Sequence, residues 1–268
     1  MSAVAQSAPV VARAAPSGAT IPRSKFLRDR GVVRYDALTA DAWRLQGAAR
    51  ILGDAEVGVA EVADRVTIGG RLTAGQVDAK GLLEVHGAAE IAGRFRLDGT
   101  YRGDGAFDAA EAEIHGRAQF GGPVRVDRVL TVTGRLDAPR VEAGTVVVRG
   151  ALQIPGNLSA TLLDATLRGP SSIEHLSADT IRIAREAVPM QSMMPTPLRH
   201  LTRQWLGRGG AELSVLRIDG RSVEIEGVHV GYLRAETITV GADCRIDRYD
   251  GRILRAPRPR GRVRPPRS

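Results

Sequence analysis

The sequence predicts an all-β chain, a parallel β-helix built from short stacked rungs, and three observations carry that expectation. Short runs alternate apolar and variable residues around a glycine, as in Leu130, Val132, Gly134 and Leu136, and again in Val146, Val148, Gly150, Leu152 and Ile154. Strict alternation over so few residues marks a strand with one buried face. The run recurs along most of the chain, and from Gly70 to Gly169 the repeat glycines are 17, 12, 17, 18, 16 and 19 residues apart. Aromatic residues make up only 4% of the chain while glycines number 31, which suits a thin core of Val, Ile, Leu and Ala.

The spacing constrains the coil. A face of about six residues, with three faces to a turn, gives rungs of roughly 17–18 residues rising about 4.8 Å each. The single spacing of 12 is then two faces instead of three, so the glycine need not stay on one corner. No rung can bury its own apolar row, and stacking supplies the burial. Hairpin turns of the Asp-Gly kind are scarce, which argues against a barrel of repeated hairpins. About ten rungs are expected.

In chain order, residues 1–29 read as a flexible arm, small and punctuated by proline, with too few large apolar groups to offset the entropy of ordering. A first block of the helix spans 30–184, with its earliest clear copy at Trp43, Leu45, Gly47, Ala49 and Ile51. The pattern breaks over 185–212, where methionines and prolines precede Leu198, Leu201 and Trp205. Those three fall at i, i+3 and i+7, one face of a short helix. The repeat resumes over 213–254 as a second block of the same solenoid, and 255–268 is expected to be a disordered Arg/Pro tail.

Charge sits almost wholly in that tail. From Arg252 to the C-terminus there are seven arginines (Arg252, Arg255, Arg258, Arg260, Arg262, Arg264 and Arg267) and no acid, against a net charge of +8 for the whole chain. The body is close to neutral, so a broad nucleic-acid platform is not expected. The tail fits three roles: keeping the protein soluble, contacting anionic lipid, or contacting nucleic acid or an acidic protein. No aromatic is interleaved with the arginines, which argues against base stacking. The single Cys244 allows no internal disulfide and suits a cytoplasmic location, with membrane association through the tail as the alternative. No apolar run approaches the roughly 18–20 residues of a membrane span.

Signals of chemistry are sparse. His86 and His115 each precede a repeat glycine, which suggests one outward column, but Asp98, Thr133 and Arg149 share that slot and point to ordinary surface positions. Cys244 reads as a small core residue with no base nearby. The acids Asp104, Asp108, Glu111 and Glu113 read as a solvated edge. No phosphate loop of the GxxxxGK[ST] type occurs. No catalytic, cofactor-binding or metal-binding residue is therefore assigned, and a non-enzymatic role is expected. Left-handed acyltransferase coils repeat an apolar residue and glycine on a six-residue beat, whereas Val240-Gly241 is nearly isolated here.

The rungs, such as Val85-His86-Gly87 and Val132-Thr133-Gly134, resemble those of the bactofilins, polymer-forming bacterial cytoskeletal proteins, and of their larger relatives with two β-helical blocks. The run from Val223 to Asp247 is similar to the closing segment of those larger relatives. The resemblance covers most of the chain and implies a right-handed β-helix that assembles end to end without nucleotide. It would make the chain its own main partner, with Trp43 and Leu45 at one end and Ile246 and Ile253 at the other as candidate end contacts. The competing expectation is a capped, non-polymerising binding module, similar to the C-terminal domain of the cell-division inhibitor of the Min system.

Overall fold

In the computed structural model, which describes residues 26–185 and 213–255, the alternation of apolar and outward residues becomes twelve parallel strands in one continuous sheet. They are β1 (Leu27–Tyr35), β2 (Leu38–Ile51), β3 (Ala55–Ile68), β4 (Leu72–Val85), β5 (Ala89–Gly103), β6 (Phe107–Phe120), β7 (Val124–Asp137), β8 (Val141–Leu167), β9 (Ser171–Arg185), β10 (Leu213–Ile225), β11 (Val228–Val240) and β12 (Arg245–Arg255). Each strand pairs in parallel only with its neighbours in sequence, so the chain winds as a β-solenoid. β8 is longer than one turn, and its two halves lie on each other, with the Arg168 amide donating to the Gly150 carbonyl at 2.9 Å.

A typical strand carries three buried pairs, one per face. In β2 these are Leu38 and Ala40, Trp43 and Leu45, and Ala49 and Ile51. Register then stacks like on like: Leu45, Val62, Ala79, Leu97, Ile114, Val132 and Val148 form one inward column. β9 pairs directly with β10, so the coil continues across the excursion between them. The strands on both sides of it form one solenoid.

Each corner has its own glycine column. Gly58, Gly75 and Gly93 mark one, and Gly53, Gly70, Gly87, Gly105 and Gly122 a second. The third is Gly31, Gly47, Gly81, Gly99, Gly116, Gly134 and Gly150. The short step from Gly87 to Gly99 is thus a move from the second corner to the third. At the third corner Gly134 has φ 132°, and a Cβ there would collide with the Gly116 carbonyl oxygen. Both features require glycine. One place in this column is not glycine: Asp64, between Gly47 and Gly81, holds φ 149°.

Midway along the coil the small residues give way to rings. Phe95, Tyr101, Phe107 and Phe120 are buried in mutual contact, with Phe95 and Phe107 edge to face at 5.0 Å. Gly103 stands where the other rungs carry an inward side chain, because the Tyr101 hydroxyl occupies that space.

The coil begins earlier than the pattern suggests and holds more rungs. β1 precedes the first clear copy by a full turn, since Leu27 lies opposite Trp43 and Asp29 opposite Leu45. At the other end β12 runs to Arg255, so Arg252 and Arg255 belong to the last strand and not to the tail. The expected helix over Leu198, Leu201 and Trp205, the arm before Phe26 and the tail after Arg255 lie outside the described residues.

Two substitutions test the corner. Asp64→Gly relieves a backbone conformation that costs an ordinary residue about 1–3 kcal/mol, and should raise stability by about 1 kcal/mol in urea unfolding. Gly134→Ala adds the same strain and a backbone collision, and should lower stability by about 2 kcal/mol or more. Equal midpoints for all three chains would contradict the assignment. In the ring cluster, Phe107→Ala should lower stability by about 3–5 kcal/mol, read from the same unfolding curves.

Candidate functional site

The long faces of the coil are electrostatically compensated from rung to rung. Arg44 pairs with Glu61 and Arg94 with Glu113, each one turn on, while Arg102 reaches Glu84 and Arg128 reaches Glu111 at 3.3 Å each. Exposed pairs like these are worth about 0–1 kcal/mol. Glu113 is held below the ordinary carboxylate range by hydrogen bonds from His115 and Arg94. Three of the four acids that read as one solvated edge have different partners: Asp104 meets His86 at 2.7 Å, Glu111 meets Arg128, and Glu113 meets Arg94 and His115.

His86 and His115 do not share a slot. Gly87 and Gly116 belong to different corner columns, so the two histidines sit on different edges. The residues in register with His115 are Asp98 and Thr133. His175 contacts Asn157 at 3.2 Å, and His200 lies outside the described residues. No group of three or more His, Cys, Asp or Glu able to hold a metal occurs among the described residues. Cys244 is buried with its sulfur 3.3 Å from the Ile225 carbonyl, and burial raises its thiol pKa. It packs as the sequence suggested.

One groove of about 350 Å³ runs across β8 to β12, lined by Pro155, Ser172, Glu174, Ser214, Leu216 and His229. Ser214 and His229 are register partners, and His229 Nε2 lies 3.4 Å from Asp247 Oδ2 without hydrogen-bond geometry. Among the described residues no hydrogen bond joins Ser214 to His229, so the nucleophile–base link of a hydrolase is not formed here.

The two ends differ from the sides and from each other. Among the described residues each terminal strand pairs on one side only: β1 with β2, and β12 with β11. A strand edge left this way exposes a row of N–H and C=O groups that can template another strand. Large exposed apolar side chains accompany both ends, with Phe26 and Val32 beside or on β1 and Leu254 on β12.

At the first end, Trp43 and Leu45 are not end contacts. They are 2% and 0% exposed because β1 lies over them. The terminal rung is β1, and it breaks the core pattern. Asp29 stands at the head of the inward column that continues as Leu45 and Val62, and its carboxylate accepts hydrogen bonds from Tyr35 Oη at 2.8 Å and Trp43 Nε1 at 2.9 Å. Burial, the bond to Asp29 and its negative charge push the Tyr35 phenol well above its ordinary range. The outward charged side chains of β1 are Arg28, Arg30 and Arg34, with the Arg28 guanidinium 5.0 Å from the Phe26 ring centre.

At the second end, the expected residues do lie on the terminal strand. Ile246 is buried on β12, and Ile253 is half-buried against the core beside Tyr249. Outward charges on β12 alternate in sign: Arg245, Asp247, Arg248, Asp250 and Arg252. The tail arginines Arg258, Arg260, Arg262, Arg264 and Arg267 lie outside the described residues.

Asp29 and Tyr35 were missed in the sequence although a signal was present. Leu27, Gly31, Val33 and Tyr35 keep the repeat's phase, with a carboxylate in an apolar slot. No helix among the described residues is long and apolar enough to cross a membrane. Comparison with family models, with curated proteins and with solved structures finds no match to this chain.

Proposed function

We propose that this protein is a non-enzymatic scaffold that associates with itself through the ends of its β-solenoid and gathers anionic partners on its C-terminal arginines. The observation that carries the reading is the β12 edge. Among the described residues it is a parallel strand paired on one side only, its inward row of Ile246, Tyr249 and Ile253 packs against the core, and its last described side chain, Leu254, is 58% exposed. Open strand edges of that kind pair unless they are covered.

The sides support the same reading from the opposite direction. Their charges are compensated between rungs, and their exposed apolar residues, such as Leu52, Val59 and Val129, are scattered. Scattered apolar residues are normal surface and make no docking patch. The resemblance of the rungs to the bactofilins is consistent with a scaffold role and with a cytoplasmic setting.

The tail follows a different physics. Five arginines without an acid follow residue 255, and each basic residue near an anionic surface contributes about 1 kcal/mol. More than one tail on an assembly would add avidity. An acidic protein or nucleic acid would meet the same charges. A second reading, the capped binding module, gains support from Asp29 at the opposite end.

Light scattering on the purified full chain across a wide concentration range should show assemblies that persist in high salt and need no nucleotide. A single-chain mass at every concentration would contradict the proposal. Removing residues 256–268 should leave that assembly intact and weaken binding to phosphatidylserine vesicles by about tenfold or more at low salt. Unchanged vesicle binding would exclude the tail as the contact. The deletion must not begin at Arg252, which would remove part of β12.

A further inference from the structure

We propose that the two ends of the coil are not equivalent: Asp29 closes the N-terminal end against stacking, and the chain pairs with a second copy of itself through the β12 end alone. This inference rests on the self-association reading above and adds its polarity and its stopping point.

The first support is the placement of one carboxylate. Every other described residue of its inward column, from Leu45 through Val148, is apolar, and Asp29 ends that column at the coil's edge. Another rung laid on β1 would bury the Asp29 carboxylate. Among the described residues its partners, the Tyr35 hydroxyl and the Trp43 indole N–H, are both neutral donors. A buried carboxylate without a countercharge is strongly disfavoured. An inward-pointing charge is one of the devices that keep sheet edges from pairing. The same bonds fix Tyr35 on the terminal rung and tie that rung to Trp43 beneath it, so the carboxylate is already engaged within its own copy.

The second support is charge. The outward groups of β1 are Arg28, Arg30 and Arg34, so a second β1 would set arginine against arginine. Stacking β12 of one copy on β1 of the next would still bury the Asp29 carboxylate, and the β1 edge has no outward acid to set against Arg245, Arg248 and Arg252 of β12. Along β12, however, Asp247 and Asp250 stand among those arginines. A second β12, running antiparallel about a two-fold axis, can place acids opposite bases. Its inward row holds no carboxylate, and Tyr249 and Ile253 present apolar surface there. A two-fold contact of this kind is self-complementary and closes after two copies, whereas head-to-tail stacking has no stopping point. The occupant of the β12 edge is therefore a second copy of this chain.

The test compares the full chain with Asp29→Leu, Asp29→Asn and Ile253→Asp, by light scattering and electron microscopy at equal concentrations. The wild-type chain should reach twice the single-chain mass and stop. Asp29→Leu, which restores the apolar column, should extend to fibres or large oligomers. Asp29→Asn keeps an acceptor for Tyr35 and Trp43 and removes the charge, so it serves should the leucine chain fail to fold, and should also grow beyond pairs. Ile253→Asp should return single chains. Long wild-type fibres would overturn the closed end while leaving self-association standing. Wild-type and Asp29 variants that all remain single chains would overturn self-association itself. Pairs that persist in Ile253→Asp, or Asp29 variants that stay as pairs, would each overturn the end assignment.

Discussion

A rung of this coil has no core of its own. Its inward side chains are a single layer, and they are buried only because the rungs before and after carry like residues in the same places. The constraint on which the structure depends is therefore register at the corners: every turn must bend at the same points, or the inward row of one rung would face the outward row of the next. Three columns of glycine meet that constraint by letting the backbones approach where a Cβ would collide with the carbonyl below. Inter-rung backbone hydrogen bonds run through the corners as well as the faces, as with the Gly87 amide and the Gly70 carbonyl at 3.0 Å.

The same constraint decides where function can lie. A coil that satisfies itself from rung to rung leaves its sides with paired charges and scattered apolar groups. Its ends cannot be satisfied that way. One end is finished with a carboxylate that accepts from a phenol of its own rung and an indole of the rung beneath, and the other is left with an apolar row and an edge of mixed charge. The difference is one of chemistry and not of fold, since β1 and β12 pair with their neighbours in the same parallel manner.

Much of the coil was legible because its period is written in residues with one meaning each. Alternation such as Val146, Val148 specified the inward face, and the glycine spacing specified three faces to a turn. The step from Gly87 to Gly99 already implied more than one corner. The ends were less legible for a physical reason. A terminal rung stops the pattern, so the start of β1, with Arg28 and Asp29, falls within the 1–29 expected as a flexible arm. For the same reason Trp43, the first clear apolar position, looks like an end in the sequence and is a second-rung residue in the fold. The histidine column failed differently: His86 and His115 both precede a glycine, but local sequence does not say which corner a glycine occupies. Asp64 was invisible because its strain comes from the column it interrupts and not from its own neighbours.

The most direct measure of the account is amide hydrogen exchange of the full chain, followed residue by residue from dilute to concentrated solution. Exchange along Ile246–Leu254 should slow as concentration rises, while Leu27–Tyr35 and the long faces exchange at unchanged rates. Rates at β12 that do not depend on concentration, or slowing that appears at β1 or along the sides instead, would contradict it.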